Sequence, residues 1–176
     1  MALEAPADFV EGSAEPWVVD VVCALLKASD QRNVLECGTF IGATTQRLVE
    51  TVAQMGAGSV VGVEFDLERA RTTQARLEAT GLPNNWQIVQ QDILGYIASQ
   101  PDTSIGFVWV DDDHATDHVS KELELLIPKM VSGGIITGHD VYGSTDLQEV
   151  FAHFGGYSLD LPRLGPAGGL GILQVR

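Results

Sequence analysis

Five short apolar segments, each bounded by Gly, Asn or Asp, alternate with helix-like segments along this chain of 176 residues. They are NVLEC (33–37), SVVGVE (59–64), WQIVQ (86–90), IGFVWVD (105–111) and GGIITG (133–138). None alternates cleanly between apolar and polar residues, which is typical of strands buried on both faces. Strands separated by helices predict a parallel α/β sheet with right-handed crossovers. Ligands of such sheets bind beyond the carboxyl ends of the strands.

Apolar residues at helical spacing predict the helices that connect these strands. Ser13 is the expected N-cap of the first helix, with Pro16 in its first turn, and Asp66 is the expected N-cap of the helix after the second strand. Two further segments, GYSLDL (156–161) and GLGILQVR (169–176), are separated by a turn rich in Pro and Gly. They predict a hairpin that closes the sheet.

The composition indicates one globular domain, with an N-terminal helical segment (1–30) followed by the core (31–176). A net charge of −14 repels phosphate backbones and anionic lipid, so we expect neither nucleic acid nor a membrane as partner. No apolar run reaches the roughly 18–20 residues of a membrane span, and the N-terminus lacks the features of a signal peptide. The two cysteines, Cys23 and Cys37, lie in apolar patterns, so we expect free thiols and a cytoplasmic protein.

The loop after the first strand reads ECGTFIGATT (36–45) and leads into a helix. A dinucleotide-binding loop would read G-x-G-x-x-G and hold a pyrophosphate, which Glu36 would repel; this disfavours a nicotinamide-dependent enzyme. A carboxylate suits a ligand with a cationic group, and S-adenosylmethionine carries an ammonium and a sulfonium. Gly38 and Gly42 either let the backbone approach that ligand or serve only to pack the helix on the strand.

Two more acidic residues follow the next strands. Glu64 ends the second strand, 28 positions after Glu36, where an acid can accept the two hydroxyls of a ribose. Asp92 follows the third strand, where it either borders an adenine or acts only as a helix N-cap.

The fourth strand leads into a cluster of acids and histidines, DDDHATDH (111–118), and the fifth ends in GHD (138–140). These strands are neighbours, or nearly so, in a doubly wound sheet, so Asp111, His139 and Asp140 can share one divalent cation. Carboxylates suit Mg²⁺, whereas a histidine ligand leans toward Mn²⁺ or another transition metal. His139 could instead hydrogen-bond only a neighbouring loop.

Taken in order, VLECGTFIGATT, VVGVEFD, VQQDI, FVWVDDDH and GGIITGHD resemble the class I S-adenosylmethionine-dependent methyltransferases. The resemblance implies a Rossmann-like, doubly wound sheet of seven strands, flanked by helices and mostly parallel, with an antiparallel C-terminal strand. It also implies cofactor contacts at Glu36, Cys37, Gly38, Thr39, Phe40, Gly42, Thr44, Glu64, Phe65, Asp92, Ile93, Asp111 and Asp113.

The D-x-x-H and later H-D motifs are similar to those of small metal-dependent O-methyltransferases, whose relatives methylate catechols and macrolide sugars. By that resemblance Asp111, His139 and Asp140 hold the metal, and His114 and Asp111 are catalytic, with His114 as the general base. The implied reaction transfers a methyl group to a hydroxyl of a sugar, polyol or catechol-like molecule. The alternative is a methyltransferase fold that binds the cofactor without a metal, acting on nitrogen or retained as a binding protein.

The remaining acidic residues have simpler expected roles. Asp112 and Asp113 face the amino end of the cofactor, or solvent, and help to cap the next helix; Asp117 and His118 are solvated residues of its first turn. The acceptor pocket must come from segments 4–16, 140–147 or 159–171, or from a second subunit. Since an open site of this kind favours an oligomer, we expect a homodimer.

Overall fold

A computed structural model describes residues 9–143 and 146–176 of the chain. The helices are α1 (Pro16–Ser29), α2 (Ala43–Gln54), α3 (Leu67–Thr80), α4 (Ile93–Ser99), α5 (Thr116–Leu126) and α6 (Leu147–His153), with a 3-10 turn at Ile127–Lys129. The strands are β1 (Asn33–Cys37), β2 (Ser59–Glu64), β3 (Trp86–Gln90), β4 (Ile105–Val110), β5 (Met130–Tyr142), β6 (Tyr157–Leu159) and β7 (Gly168–Gln174). Parts of the predicted N-terminal and acceptor segments, residues 1–8 and 144–145, lie outside the described residues.

The strands form one sheet in the order β3-β2-β1-β4-β5-β7-β6. Strands β1 to β5 pair in parallel, whereas β7 runs antiparallel to β5 and β6 antiparallel to β7. This confirms the predicted seven-stranded, doubly wound fold with its closing hairpin. The order reverses between β1 and β4, and such a switch point opens a crevice at the carboxyl ends of the strands.

Helices cover both faces of the sheet, as the apolar strand sequences predict. In β4, whose six residues are all buried, Phe107 and Trp109 pack with α1 and α2, whereas Val108 and Val110 pack with α4, α5 and α6. This double burial removes the strand from solvent and fixes the position of the residues that follow it. Among the described residues, no helix is long and apolar enough to cross a bilayer.

The helix starts agree with the sequence at α3 and differ at α1. Asp66 caps α3 by accepting hydrogen bonds from the N–H groups of Glu68 and Arg69, both at 2.9 Å. The prediction of Ser13 as the N-cap of α1 is wrong, because Pro16 is itself the first helical residue and Glu15 takes the cap position with an extended backbone. The Glu15 carboxylate makes no bond to the helix, which leaves it available for contacts elsewhere.

Replacing Gly138 in β5 by alanine should destabilise the fold. A Cβ atom at this position would lie 2.6 Å from Cζ of Phe151, a buried residue of α6. We expect the free energy of unfolding to fall by about 1–3 kcal/mol, as for other overpacked cores, in a urea titration. Gly165→Ala is the control, because nothing lies within 4 Å of its Cβ position and its φ angle is ordinary. Equal stabilities of the two variants would contradict the assigned packing.

Candidate active site

The carboxyl ends of β1 to β4 surround a cavity of about 700 Å³. Its size falls in the range of small-molecule sites. Acidic residues dominate the wall, and Arg69 is the one basic residue besides histidine among the described lining residues. The lining consists of Gly12, Gly38, Phe40, Val63, Glu64, Phe65, Asp66, Arg69, Gln91, Asp92, Ile93, Asp111, Asp112, Asp113, His114 and His118. Such a wall favours a ligand that carries positive charge.

Gly38 brings the end of β1 against the residues that follow β4. Its φ angle is +81°, and a Cβ atom there would lie 2.6 Å from the carbonyl oxygen of Asp111 and 2.8 Å from Cα of Asp112. Only glycine fits this approach, so Gly38 both packs the loop and opens the cavity wall. Gly42 has the packing role alone among the described contacts, since its Cβ position lies 2.9 Å from Cγ2 of Thr73 and it does not line the cavity.

Glu36 lies beneath the cavity and has no exposed surface. Neither carboxylate oxygen has a hydrogen-bond partner among the described residues. Burial raises the pKa of Glu36 to about 8; the nearby Thr45 hydroxyl opposes the rise without reaching hydrogen-bond geometry, and the carboxylates of Asp111 and Glu64 add to it. Four other predicted cofactor contacts are also absent from the wall: Cys37, Thr39, Gly42 and Thr44. Direct cofactor contact by these residues therefore stays a prediction.

Glu64 organises the loop that borders the cavity. Its Oε2 atom accepts a hydrogen bond from the Phe40 N–H at 2.9 Å, and its Oε1 atom accepts one from the Asp66 N–H at 3.0 Å. The Arg69 guanidinium lies 5.0 Å from the centre of the Phe40 ring, within cation–π distance. Each carboxylate oxygen has a second lone pair, so Glu64 can still accept hydroxyls from a ligand. Phe65 follows at the cavity rim, where 74% of it is exposed.

Asp92 caps α4 and also lines the cavity. Its Oδ2 atom accepts a hydrogen bond from the Gly95 N–H at 2.8 Å and caps α4. The same residue and Ile93 line the cavity. Capping thus holds Asp92 at the wall, where its contact with the adenine stays a prediction.

The predicted metal ligands converge just beyond the end of β4, beside the last residues of β5. Val110 pairs with Gly138, so Asp111 lies beside His139. The Nδ1 atom of His139 is 3.2 Å from Oδ1 of Asp111 and 3.4 Å from Oδ1 of Asp140. The Nε2 atom of His114 is 3.4 Å from Oδ1 of Asp111 and 3.7 Å from Oδ2 of Asp140. All four side chains therefore face one small volume.

A bulge in β5 allows two consecutive residues to reach this volume. Successive side chains of a regular strand point to opposite faces of the sheet. Asp140 instead has a φ angle of +54°, and the register with β7 shifts between His139 and Tyr142. The bulge re-aims Asp140 toward His139 and His114, as bulges beside active sites commonly do.

Glu15 is a residue of the site that the sequence did not reveal. Its Oε2 atom lies 2.8 Å from Nε2 of His139, and its Oε1 atom accepts a hydrogen bond from the Leu164 N–H at 3.0 Å. One ring nitrogen of His139 therefore bonds Glu15, and the other faces the carboxylates of Asp111 and Asp140. This geometry is compatible both with the hydrogen-bonding role and with the predicted role as a metal ligand. A histidine whose second nitrogen is held by a carboxylate is the usual arrangement of a metal ligand. The two partners are 124 positions apart in the sequence, so no local sequence pattern predicts this contact.

The charges of the cluster fit a divalent cation. Burial lowers the pKa of His139, but Asp111, Glu15 and Asp140 outweigh it and raise the pKa to about 10. Burial raises the pKa of Asp111, yet His139 and His114 hold it below its usual range. Burial raises the pKa of Asp140. A protonated His139 thus balances part of the carboxylate charge, and a cation held there would replace that proton.

The rest of the acidic segment divides into exposed and half-buried residues. Asp113 and Asp117 are exposed, and Oδ1 of Asp113 accepts a hydrogen bond from the Ala115 N–H at 2.9 Å. The prediction of a solvated His118 is wrong. α5 begins at Thr116 and turns the His118 ring inward, where its Nε2 atom is 3.1 Å from Oδ2 of Asp112.

Comparison with protein families identifies the chain. A family described as a methyltransferase domain matches residues 35–141, which is more than half of the sequence. The chain belongs to this methyltransferase family. The cavity of this S-adenosylmethionine-dependent methyltransferase lies at the carboxyl ends of the strands within the matched region. Comparison of the methyltransferase with curated proteins gives no significant match.

Solved structures share the fold of this methyltransferase at low sequence identity. A putative O-methyltransferase from Klebsiella pneumoniae is 15% identical with a TM-score of 0.78, over 97% of this chain and 83% of that one. An O-methyltransferase from Bacillus cereus in complex with SAH is 18% identical with a TM-score of 0.74, over 98% and 84% of the chains. The O-methyltransferase of tomaymycin synthesis from Streptomyces achromogenes, in complex with SAM, is 17% identical with a TM-score of 0.76, over 96% and 83%.

Replacing Glu36 by glutamine should change how the stability of the ligand-free methyltransferase depends on pH. The folded state holds the Glu36 proton up to a pKa of about 8, whereas the unfolded state releases it near 4.5. The wild type therefore loses stability as the pH rises from about 4.5 to 8, and the glutamine variant lacks this part of the loss. Urea titrations at pH 5 and 8.5 should show a gain for Glu36→Gln at the higher pH. Glu78→Gln, at an exposed position of α3, should show no such gain. If the free energy of unfolding depended on pH equally in the two variants, the burial argument would be refuted.

Proposed function

We propose that this methyltransferase transfers the methyl group of S-adenosylmethionine to a hydroxyl of a small molecule, with a divalent metal and His114 as general base. One observation carries the proposal: Asp111, His114, His139 and Asp140 meet within 3.7 Å contacts beside an acidic cavity. Carboxylates that end adjacent buried strands require a positive partner. Asp111 and His114 also line this cavity, so a metal held by the cluster would supply its charge next to the proposed methyl-donor site.

The acidic cavity suits the sulfonium and ammonium groups of S-adenosylmethionine. Glu64 and Asp92 lie on the wall where the hydroxyls of the ribose and the edge of the adenine would bind, and Asp113 is available to the amino end. Phe40 and Ile93 add apolar surface to the same wall. The similar structures from Bacillus cereus and Streptomyces achromogenes contain SAH and SAM, respectively, which supports the same ligand here.

Asp111, His139 and Asp140 would hold the metal through Oδ1, Nδ1 and a carboxylate oxygen, the atoms that already face one another. Mg²⁺ suits the two carboxylates, and Mn²⁺ or another transition metal suits the added imidazole. When bound, such a cation lowers the pKa of a coordinated hydroxyl and orients it. Glu15 would fix the His139 ring from the opposite side, so that Nδ1 stays directed at the carboxylates.

His114 would remove the proton of the acceptor hydroxyl at Nε2. The oxygen then bonds to the methyl carbon, the bond between that carbon and sulfur breaks, and SAH leaves as a neutral thioether. The Asp111 carboxylate raises the pKa of His114, against burial and with help from Asp140, which makes the ring a stronger proton acceptor. A cation held by the same carboxylates would oppose this rise and keep the ring neutral near pH 7.

The acceptor we propose is a sugar, a polyol or a catechol-like molecule. Adjacent oxygens of such molecules can take the open positions of a metal, while the reacting hydroxyl lies near His114. Segments 9–16 and 159–171 lie near the site through Glu15, which contacts both His139 and Leu164. These segments are the proposed walls of the acceptor pocket. The homodimer expected for an open site stays a prediction.

Replacing His114 by alanine should remove most of the activity. Loss of a general base costs about 10²- to 10⁴-fold in rate, and we expect this loss in kcat for methyl transfer from labelled S-adenosylmethionine to a catechol or polyol. His153→Ala is the matched control, because His153 is exposed at the end of α6. The affinity for Mn²⁺ should be the same in both variants.

An unchanged rate in the His114→Ala variant would exclude the base. A loss of Mn²⁺ affinity along with the rate would instead make His114 a ligand. That outcome is chemically reasonable, because donor atoms of Asp111, His114 and His139 all lie within 4.8 Å of one another.

Calorimetric titration of chelator-treated protein should show one site for S-adenosylmethionine and, separately, binding of Mg²⁺ or Mn²⁺. Asp140→Asn should lose the metal and keep the methyl donor, since Asp140 does not line the donor cavity. Asp117→Asn, at an exposed position of the acidic segment, should keep both. Methylation that survives exhaustive chelation would make Asp111, His139 and Asp140 structural. Absence of S-adenosylmethionine binding would remove the proposed donor site.

A further inference from the structure

A second cluster of potential ligands lies where α5 packs against the end of β4. It consists of Asp112, His118 and Glu122, and one donor atom from each lies within 4.8 Å of the others. The Nε2 atom of His118 is 3.1 Å from Oδ2 of Asp112 and 3.9 Å from Oε2 of Glu122. Asp112 and His118 also line the cavity, so the cluster can be reached from it, whereas Glu122 lies behind them.

Glu122 is an unusual residue for a surface helix. Its exposed fraction is zero, and neither carboxylate oxygen has a hydrogen-bond partner among the described residues. The Oδ1 atom of Asp112 is likewise buried and unpartnered. Within residues 9–143 and 146–176, the ion-pair partner of both acids is His118 alone, and no Lys or Arg reaches them. These three buried oxygen atoms have no hydrogen-bond partner among the described residues, although the Cys37 thiol lies near Glu122, and leaving them unpaired is costly in a protein interior.

Two carboxylates and one imidazole meet at this point. A divalent cation balances both while His118 stays neutral, as a ligand must. Tetrahedral ligands at about 2.0–2.1 Å from a zinc ion lie roughly 3.4 Å apart. The separations of 3.1 and 3.9 Å at His118 bracket that value, and the third separation, between Asp112 and Glu122, is within 4.8 Å.

We propose that Asp112, His118 and Glu122 form a second metal site, distinct from that of Asp111, His139 and Asp140, which binds a divalent transition metal such as Zn²⁺. One imidazole and two carboxylates suit a first-row transition metal better than Ca²⁺. Three protein ligands leave one position for water or for a group in the cavity.

The two metal sites face in different directions. Asp111 turns toward His139 in β5, and Asp112 turns toward His118 in α5. The side chains of these two consecutive residues point in different directions, so Asp111 contacts β5 and Asp112 contacts α5. No donor atom is shared, and each site can therefore be removed without removing the other.

The test is titration of the full-length, chelator-treated protein with Co²⁺ at pH 7, followed by visible absorption and calorimetry. Co²⁺ takes the ligands of Zn²⁺ and is coloured. The variant is Glu122→Gln, which keeps the shape of the side chain, and Glu124→Gln on the exposed side of α5 is its control. His118→Asn removes another ligand of the same site, at a half-buried position. Asp140→Asn removes a ligand of the first site. Circular dichroism establishes that each variant is folded.

We expect two Co²⁺ ions per wild-type chain and two in Glu124→Gln. Glu122→Gln and His118→Asn should each keep one, and their lost site should weaken by more than the roughly 10- to 100-fold that removal of a supporting group costs. Asp140→Asn should keep the site at Glu122. Unchanged stoichiometry and affinity in both Glu122→Gln and His118→Asn would overturn the proposal, and Glu122 would then be a buried, protonated acid. A wild type that binds one ion, lost only in Asp140→Asn, would overturn the second site and leave the proposed function intact.

Discussion

The parallel pairing of β4 with β5 is the constraint on which the site depends. It places Asp111 beside His139, and the bulge at Asp140 adds a second carboxylate to the same volume. Double burial of β4 holds this geometry, since its side chains pack with helices on both faces of the sheet. Functional groups at the ends of such strands move little, which suits chemistry that depends on positioning.

Concentrated negative charge is the second theme of the structure. Acids line the donor cavity, the proposed metal site and the cluster of Asp112, His118 and Glu122. Glu122 of that cluster, and Glu36, which does not line the cavity, are fully buried without hydrogen-bond partners among the described residues. Burial raises the pKa of both. Buried carboxylates hold protons or pair with cations, and the proposed sulfonium donor and divalent metals are cations of this kind.

Glu15 connects the N-terminal helix to the chemistry. By joining His139 to the backbone of Leu164, it ties α1, β5 and the segment before β7 at one point. The start of α1 is what frees Glu15 for this contact, because the helix begins at Pro16 and Ser13 is not its N-cap. Pro16 starts the helix without help from a side chain, and the residue before it is therefore available to the site.

The sequence by itself determined the strand and helix order, the sheet with its closing hairpin, and the placing of Asp111 after the fourth strand and of His139 and Asp140 late in the fifth, but it left open whether these two strands pair directly. These follow from local patterns, because hydrophobic period and turn residues act over a few positions. Only the tertiary structure decided the contact of Glu15 with His139, the inward turn of His118 and the burial of Glu36 and Glu122. The contact of Glu15 with His139 joins residues far apart in the chain. The burial of the other side chains depends on side-chain direction, because a shift of one position along a helix can move a residue from the solvent-exposed face to the buried face.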